Sequence, residues 1–407
     1  MIHGKSTVAV HTLGCKVNQC DSEALLARLV GMGFASVRFN EVADIYIINT
    51  CTVTHVSDRK SRQMIRRARK LNPDAFVAVC GCMVKTAPET EADFIFDARD
   101  PDDFFAKISN KAASEATESG FTKTRTRSFI KIQDGCDRFC SYCIVPHVRG
   151  APKSRPMAEI LEEAEALIAA GTLEIVLTGI QAASYGDDVS KATLSDLIKN
   201  VSALQKLRRL RLSSIDPWAV NDDFLNAIEN SSALCSHFHL SLQSGCDATL
   251  EAMNRRYTTA EYAKAAQALR KLRPEAALTT DIIVGFPDES DSDFRQSLDF
   301  AQEMKFAQIH VFEYSKRTGT PAAELSGQIP SAIKSARGKA MRELALSLQK
   351  DFLKSQIGKT LPVLFETNSR GHSENYCLVE AANAFANTIQ NVKITTSTNE
   401  ILIGITK

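Results

Sequence analysis

The chain has 407 residues, with 49 Lys and Arg against 48 Asp and Glu, a formal net charge of +1 and 44% hydrophobic residues. This composition is ordinary for a globular protein, and the length predicts two or three domains. No uninterrupted apolar run reaches the 18 residues that a membrane span needs, and the apolar part of the amino terminus is too short for a secretory signal. We therefore expect a cytoplasmic protein with no membrane partner.

The first segment alternates strand-like and helix-like patterns, which is typical of parallel α/β architecture. We predict strands at residues 7–13, 45–50 and 76–80 and helices at 21–33 and 57–71. Together they form a small doubly wound sheet that ends near residue 106, within a domain spanning 1–108. Residues 109–127 are rich in Ser, Thr, Ala and charge and are predicted to be a linker.

Six further strand candidates begin near residues 129, 174, 208, 236, 277 and 307, and each but the last is followed by a helical pattern. This predicts an incomplete (β/α)6 barrel, open on one side, over residues 128–354. After a helical stretch at 331–354, short strands and polar turns predict a small antiparallel β-barrel over 355–407.

Cysteine is unevenly distributed, since eight of the 11 Cys lie before residue 144. Cys136, Cys140 and Cys143 form a Cys-x3-Cys-x2-Cys motif just after the first barrel strand, where barrel enzymes place their chemistry. Three thiolates on one loop hold three irons of a [4Fe-4S] cluster and leave the fourth open to chelate a cofactor. A zinc site is the alternative, but structural zinc needs four ligands and only His147 lies near enough to complete the set.

Three more cysteines each follow a strand of the amino-terminal sheet. Cys15, Cys51 and Cys82 share its predicted carboxyl edge, so we expect them to meet in space. The repeated Gly-Cys at 14–15 and 81–82 favours Cys82 over Cys80, because glycine lets the backbone approach a bulky cluster. Cys80, inside the strand, is interpreted as a buried apolar residue. Three separately buried cysteines remain the alternative to a second cluster.

The motifs along the chain resemble those of the radical S-adenosylmethionine methylthiotransferase family. The resemblance covers essentially all of the sequence and rests on TLGCKVNQ (12–19), INTCTVT (48–54), GCMV (81–84), GCDRFCSYCIVPHVRG (135–150), VLTGI (176–180), RLSSIDP (211–217), HLSLQSG (239–245), MNRRYT (253–258), DIIVGFP (281–287) and GHSENY (371–376). KVNQ and GHSENY look most like the branch that acts on N6-threonylcarbamoyladenosine at position 37 of tRNA, beside the anticodon. Sister branches act on isopentenyladenosine in tRNA or on a ribosomal protein.

This resemblance implies two [4Fe-4S] clusters and S-adenosylmethionine as cofactors. One S-adenosylmethionine methylates sulfur on the auxiliary cluster of Cys15, Cys51 and Cys82, and a second is cleaved at Cys136, Cys140 and Cys143. The resulting 5′-deoxyadenosyl radical removes hydrogen from carbon 2 of the adenine, which receives the methylthio group. The final small barrel resembles a TRAM domain, an RNA-binding module. We expect a monomer that takes electrons from a donor protein of unknown identity.

Residues at barrel strand ends are candidates for contacts to S-adenosylmethionine. They are Tyr142, Gly179, Ser213, Gln243 and Gly285, with Tyr142 placed to reach the adenine. Each has a structural alternative, as a tight turn, a cap or a buried strut.

Basic residues concentrate in two segments beside the cluster cysteines. Residues 121–156 hold eight basic and two acidic residues, and residues 57–71 hold seven basic residues and one acid. We expect this rim to attract the phosphate backbone of tRNA through Arg59, Arg62, Arg66, Arg69, Arg149 and Arg155. A merely solvated cationic face is the alternative. A non-catalytic iron-sulfur protein that binds RNA is the competing hypothesis, and the open iron argues against it.

Overall fold

The computed structural model describes residues 6–86, 91–109, 126–188 and 192–407. The predicted linker lies outside these residues except at its ends, and so do Lys123 and Arg125 of the basic segment. The described chain forms a parallel sheet, an open barrel and a small closed barrel, in that order. The domain boundaries at residues 108, 128 and 355 stay predictions. No helix among these residues combines the length and the apolar character needed to cross a bilayer.

The first unit is a five-stranded sheet in the order β2-β1-β3-β4-β5, with every pair parallel. Its elements are β1 (Thr7–Thr12), α1 (Lys16–Gly31), β2 (Ala35–Ser36), β3 (Ile45–Thr50), α2 (His55–Leu71), β4 (Phe76–Gly81), α3 (Met83–Thr86), β5 (Phe94–Ile95) and α4 (Asp102–Ile108). The three predicted strands are confirmed. The two outer strands have two residues each, which is too short to predict from an apolar pattern.

Apolar side chains cover both faces of this sheet, as a doubly wound arrangement requires. Leu25 of α1 and Phe104 of α4 pack on one face, whereas Ile65 and Ala68 of α2 pack on the other. The helices therefore cover both faces of the sheet, and the loops at its carboxyl edge are left free for chemistry.

The second unit is a half-open barrel whose parallel strands follow the order β6-β8-β9-β10-β11-β12. Two isolated bridges join β9 to β10, and no pairing between the described residues closes β12 onto β6. Its elements are β6 (Arg127–Asp134), α5 (Val145–Arg149), β7 (Lys153–Ser154), α6 (Met157–Ala169), β8 (Glu174–Gly179), α7 (Leu194–Ser202), β9 (Arg209–Leu212), α8 (Asp222–Glu229), β10 (His237–His239), α9 (Asp247–Ala252), α10 (Thr259–Leu272), β11 (Ala277–Val284), α11 (Asp291–Met304), β12 (Gln308–Glu313), α12 (Pro321–Glu324) and α13 (Ser331–Lys354). All six predicted strands and the final helix are confirmed.

The barrel strands separate an apolar outer face from a polar inner face. Alternate residues such as Ile175, Leu210 and Leu278 pack against the surrounding helices in the main core. Since successive side chains point to opposite sides of a strand, the intervening residues line the barrel interior. They include several charged or hydrogen-bonding groups: Glu174, Arg209, Arg211, His237, His239, Thr279 and Asp281.

The third unit is a closed five-stranded barrel in the order β13-β14-β15-β17-β16. Its strands are β13 (Thr360–Phe365), β14 (Arg370–Ser373), β15 (Leu378–Ala382), β16 (Thr388–Ser397) and β17 (Leu402–Thr406). The prediction of an antiparallel barrel is wrong at one pair, because β15 and β17 run parallel where the barrel closes. β14 was not predicted, since its sequence RGHS is polar and lacks alternating apolar residues.

This small barrel covers the amino-terminal ends of the larger barrel's strands. The Arg209 guanidinium donates to the carbonyls of His372 at 2.9 Å and Pro362 at 2.6 Å, and Arg211 donates to the carbonyl of Glu374 at 3.0 Å. Tyr376 stacks on His237 with ring centroids 4.9 Å apart. The GHSENY segment therefore closes the barrel floor, and the opposite end stays open.

Candidate active site

Cys15, Cys51 and Cys82 lie together at the carboxyl edge of the first sheet. They follow β1, β3 and β4, which are neighbours in the sheet. A methyl group built on Gly14 would lie 3.1 Å from Cβ of Cys51, and the backbone amide of Cys82 donates at 3.1 Å to the carbonyl of Thr50, the residue before Cys51. The structure thus brings the three predicted thiols to one place.

Two buried asparagines hold the loops that carry these cysteines. The Asn18 amide donates to the carbonyls of Leu13 at 3.0 Å and Thr50 at 2.9 Å, and the Asn49 amide donates to the carbonyl of Asn18 at 2.9 Å. The Cys15 thiol donates to Oδ1 of Asn18 at 3.3 Å. Sequence reasoning noted Asn18 only as part of KVNQ and did not assign it this bracing role.

Gly81 separates the buried Cys80 from Cys82. Gly81 has φ +89°, and a methyl group there would lie 2.4 Å from the carbonyl oxygen of Thr50. The glycine is therefore needed for a left-handed turn against β3, rather than for the approach to a cluster that the sequence suggested. Cys80 is fully buried in the apolar core, as predicted, and burial raises its pKa well above the usual range.

Cys136, Cys140 and Cys143 occupy one loop after β6. The amide of Cys136 donates to the carbonyl of Gly150 at 3.0 Å, and the amide of Cys143 donates to the carbonyl of Cys140 at 2.9 Å. Ser141 anchors the loop to the barrel, since its hydroxyl donates to the carbonyl of Ala252 at 2.7 Å. The loop therefore holds the three thiols at the open end of the barrel.

Burial disfavours the thiolate form of four of the six cysteines, which are Cys15, Cys82, Cys136 and Cys143. It raises the pKa of Cys143 to about 12 and that of Cys82 to about 11, and it also raises the pKa of Cys15 and Cys136. Iron binds the thiolate, so cluster assembly must release these protons. Each donor set consists of three thiols, which fits a [4Fe-4S] cluster with one iron free of protein ligands.

Arg255 places a positive charge directly beside the loop that carries Cys136, Cys140 and Cys143. Its Nη1 lies 3.3 Å from Sγ of Cys140, and its Nε donates to the Tyr257 hydroxyl at 3.0 Å. Asp216 pairs with the same guanidinium and accepts from the Gln181 amide at 2.5 Å. The Arg255 side chain is therefore held in a buried salt bridge and is 8% exposed.

The five candidate contacts to S-adenosylmethionine lie at strand ends, with different surroundings. Tyr142 packs beside Met253 and Phe286. The Ser213 hydroxyl is buried without a hydrogen-bond partner among the described residues. Gln243 has φ +71°, and its backbone amide donates to the backbone carbonyl of Asp281 at 2.8 Å.

The two glycines of this set have close neighbours. A methyl group on Gly179 would lie 3.1 Å from Oε1 of Gln133, and one on Gly285 would lie 2.3 Å from Cγ of Lys334. The amide of Gly285 already donates to Glu289 at 2.7 Å. The structural alternative for Gly285, a tight turn, is therefore favoured over a contact through its amide.

Arg149 joins the two cysteine sites and is buried, so the prediction that it contacts RNA is wrong. Its guanidinium donates to Asp134 at 2.7 and 2.8 Å and to Oδ1 of Asn18 at 2.7 Å, and it lies 3.5 Å from Asp21. The side chain is 5% exposed. Burial opposes its charge, but Cys82, Asp134 and Asp21 together raise its pKa. Arg149 thus forms ion pairs within and between the two units, and its positive charge alone does not reveal whether it faces RNA or a buried carboxylate.

The other predicted RNA contacts differ in how free they are. Arg59, Arg62 and Arg66 of α2 are exposed and line a groove of about 570 Å³. Arg69 is 30% exposed and donates to Asp93 at 2.5 Å. Arg155 donates to Glu163 at 2.6 Å and to the carbonyl of Lys131 at 3.0 Å. Arg66 pairs with Glu91 at 3.4 Å on the exposed surface, so of these arginines only Arg59 and Arg62 lack an acidic partner among the described residues.

The aromatic residues of the small barrel are similarly divided. Tyr376 and His372 stack on one another with centroids 4.8 Å apart, at the floor of the larger barrel. Phe385 is 66% exposed. Of these three side chains, Phe385 alone is freely accessible.

Comparison with known proteins agrees with this arrangement. The family model described as the radical SAM superfamily matches residues 130–301, and that described as uncharacterized protein family UPF0004 matches residues 7–98. The threonylcarbamoyladenosine tRNA methylthiotransferase MtaB of Bacillus subtilis is 35% identical over 406 residues, covering 92% of this chain and 90% of the relative. MtaB of Aquifex aeolicus is 33% identical, covering 91% of this chain and 95% of that relative.

A relative with a different substrate in its name is about as similar in sequence, and a solved structure shares the fold. The tRNA-2-methylthio-N(6)-dimethylallyladenosine synthase of Acetivibrio thermocellus is 33% identical, covering 90% of this chain and 82% of the relative. The solved radical S-adenosylmethionine methyltransferase TsrM from Kitasatospora setae shares the fold, with a TM-score of 0.56 at 16% identity over 79% of this chain and 77% of that one. The chain belongs to the methylthiotransferase family of the radical S-adenosylmethionine superfamily.

Proposed function

We propose that this protein converts N6-threonylcarbamoyladenosine at position 37 of tRNA into its 2-methylthio derivative. The observation that carries the proposal is the pair of three-thiol sites on facing units, joined by Arg149. Relatives named for this reaction match more than nine-tenths of the chain. A protein using clusters only structurally would not need two sites that each leave an iron without a protein ligand.

The donor sets fit the cofactors of the family. Cys136, Cys140 and Cys143 hold the cluster that binds S-adenosylmethionine, and Cys15, Cys51 and Cys82 hold the auxiliary cluster. When bound, these groups supply the radical, the methyl group and the sulfur.

The surrounding side chains orient these groups and control their charge. Arg255, held by Asp216, donates toward the Cys140 sulfur and stabilises its thiolate. The unpartnered Ser213 hydroxyl is available to S-adenosylmethionine. Tyr142, Gly179 and Gln243 complete the wall of that pocket, and Gly285 shapes the turn beside it.

The tRNA contacts are proposed to lie on the exposed face of α2. Arg59 and Arg62 contribute most, because Arg66, Arg69 and Arg155 already have acidic partners. The last 50 or so residues form a TRAM-like barrel whose Phe385 stacks on RNA.

The remaining partners follow from the reaction. An electron-donor protein of unknown identity supplies the electrons, and the enzyme is proposed to act as a monomer in the cytoplasm. In the described residues all 11 cysteines are free of disulfides, which suits a reducing compartment.

The experiment is mass analysis of modified nucleosides in tRNA from cells with and without this gene. Loss of 2-methylthio-threonylcarbamoyladenosine, with the unthiolated nucleoside accumulating, is the expected result. Complementation with Cys136→Ala must fail, and Cys377→Ala, in the small barrel away from both sites, is the matched control. Loss of the methylthio-isopentenyl nucleoside instead would move the protein to the sister branch, and no change in either nucleoside would refute the proposal.

A further inference from the structure

A second buried arginine of the barrel, Arg317, contacts the loop of an auxiliary cysteine. Arg317 lies in the segment between β12 and α12, and its side chain is 8% exposed. Its Nη2 donates to Oγ1 of Thr52 at 2.6 Å and lies 2.7 Å from Oδ2 of Asp58, in the first turn of α2. Thr52 directly follows Cys51. A side chain of the barrel therefore holds the loop of Cys51.

The hydroxyl of Thr52 closes this contact into a ring of three side chains. It donates to Oδ1 of Asp58 at 2.7 Å while it accepts from Arg317. The side chain of Thr52 is fully buried, and Asp58 is buried as well. Breaking a buried ion pair by removing one partner is strongly destabilising, because it leaves an uncompensated charge away from water. The ring therefore fixes the position of all three side chains.

The same hydroxyl reaches the segment that follows a second auxiliary cysteine. Oγ1 of Thr52 lies 3.1 Å from Oγ1 of Thr86, the last residue of α3. α3 begins directly after Cys82. A displacement of Arg317 would therefore be passed on to the loop of Cys51 and to the helix beside Cys82.

The segment that carries Arg317 also bonds to the loop of the other cysteine set. The backbone amide of Ala322 in α12 donates at 2.8 Å to the carbonyl of Ser141, inside the Cys-x3-Cys-x2-Cys motif. The segment itself is held in shape, since the amide and the hydroxyl of Thr320 donate to the carbonyl of Arg317 at 3.1 and 2.7 Å. One short stretch of chain thus contacts the loops of both cysteine sites.

Arg317 repeats at one auxiliary loop what Arg149 does at another. Each is a buried arginine of the barrel that donates to a side chain bracing a cysteine loop and pairs with a carboxylate on a helix of the first unit. The two partner pairs are Asn18 with Asp21 for Arg149 and Thr52 with Asp58 for Arg317. A single contact would let the two units pivot about it, whereas two contacts at different loops also fix their angle.

We propose that Arg317 is a positioning residue that aligns the auxiliary cysteine site with the site of Cys136, Cys140 and Cys143. This inference rests on the proposed function. The methylthio group must meet the substrate carbon from which hydrogen is removed, so the geometry between the two sites decides whether a radical leads to product. A misplacement of about 1 Å can cost roughly 100-fold in rate. Loosening the contact at Arg317 should therefore spare the cleavage of S-adenosylmethionine and impair the transfer of the methylthio group.

The test compares two products of the anaerobically reconstituted holoenzyme. The enzyme receives dithionite, S-adenosylmethionine and an anticodon stem-loop RNA carrying threonylcarbamoyladenosine, and mass analysis quantifies 5′-deoxyadenosine and the methylthiolated nucleoside. Arg317→Met should lower the methylthiolated nucleoside formed per 5′-deoxyadenosine by about 10- to 100-fold. Arg342→Met is the matched control, because its partner Glu313 lies 3.3 Å away at the end of β12. This control should keep the wild-type ratio.

Two variants of Thr52 test the contact without removing the ion pair of Arg317. Thr52→Val keeps the shape of the side chain but removes the hydroxyl, so it should lower the product ratio in the same direction as Arg317→Met. Thr52→Ser keeps the hydroxyl and should recover most of the ratio that Thr52→Val loses. A side chain that only filled space would show the opposite order, since serine leaves a cavity where valine does not.

Iron content and electron paramagnetic resonance separate alignment from the loss of a cluster. Each variant should keep about eight irons per chain, as two four-iron clusters require. The magnetic interaction between two reduced clusters depends on their separation and orientation. The resonance of the reduced holoenzyme should therefore change in Arg317→Met and stay as in the wild type in Arg342→Met.

Two results would overturn the inference. One is an unchanged product ratio in both Arg317→Met and Thr52→Val, and the other is a lowered ratio that the loss of about four irons accompanies in both variants. In either case the wild-type protein would still methylthiolate the threonylcarbamoyl RNA, and the proposed function would stand. If the wild-type protein forms 5′-deoxyadenosine but no methylthiolated nucleoside from this RNA, the proposed function itself fails.

Discussion

Glu174 is predicted to be the most costly single carboxylate to remove from this fold. It is fully buried at the start of β8, with Arg127 and Arg211 each 2.9 Å away and Arg209 at 3.7 Å. The change to test is Glu174→Gln, which keeps the shape of the side chain and removes its charge. Three arginines would then lose their shared partner beneath the small barrel.

The size of the effect follows from the pKa of this carboxyl. Burial alone would raise it, but Arg211, Arg127 and Arg209 outweigh burial and lower it from 4.5 to about 2. That difference corresponds to about 3 kcal/mol of stabilisation by the ionised group. Breaking a buried pair by removing one partner costs about 3–5 kcal/mol, which agrees in magnitude. Because the folded-state pKa is the lower one, this contribution is present above about pH 4.5 and is lost as the pH falls toward 2.

Urea unfolding measures the change in the free energy of unfolding caused by Glu174→Gln. Urea is chosen because it is uncharged and leaves ion pairs unscreened. The transition is followed by circular dichroism and by the fluorescence of the single tryptophan, Trp218, in the barrel. Glu380→Gln is the matched control: its partner Arg370 lies 2.8 Å away with both side chains about half exposed, so it should cost about 1 kcal/mol or less. The variant should lose about 3 kcal/mol from pH 5 to 8, and the difference should shrink below pH 4.5. A loss as small as that of Glu380→Gln would show that the buried ion pairs of Glu174 do not stabilise the fold.

Three further predictions concern the cysteine sites and the tRNA surface. Gly81→Ala forces a methyl group against Thr50, so the iron content of the reconstituted protein should fall from about eight to about four per chain. Gly31→Ala is the control: it has open space around it and should keep the full iron content. Equal iron in both variants would contradict the steric argument. Cys80→Ala should retain all the iron, because its thiol is buried in the core; a loss of four irons would make Cys80 a ligand. Arg62→Glu should weaken tRNA binding and lower the salt slope by about one or two, whereas the exposed Lys350→Glu on α13 should not, and identical slopes would remove α2 from the interface.

The sequence predicted the elements whose pattern is local. Nine predicted strands lie where the structure has them, because each combines an apolar run with flanking turn residues. The convergence of Cys15, Cys51 and Cys82 was also predictable, since parallel strands place their carboxyl ends at one edge. β14 was missed because its polar sequence becomes a strand only through pairing with β13 and β15, a tertiary effect that a local pattern does not contain.

Contacts between units account for what the sequence did not reveal. Arg149 and Arg62 are the same residue type in two basic segments beside cluster cysteines, yet one is buried and the other exposed. The difference depends on which acidic groups the facing unit presents, here Asp21 across from Asp134. Charge counts along the chain give the number of basic side chains in a segment. Which of these side chains form ion pairs depends on the packing of the folded protein.

The short helix α5 explains why the two cysteine sites keep a fixed relation. It begins two residues after Cys143, and Cys82 packs against Ile144 and Val148 at its side. Its last residue, Arg149, bonds to Asn18, which also braces the loop of Cys15. A helix of five residues spans about 7–8 Å. This short helix therefore connects the loop of Cys143 to Asn18, which holds the loop of Cys15. The separation between the two cysteine sites therefore depends on this short helix and on the buried ion pairs of Arg149 at its end.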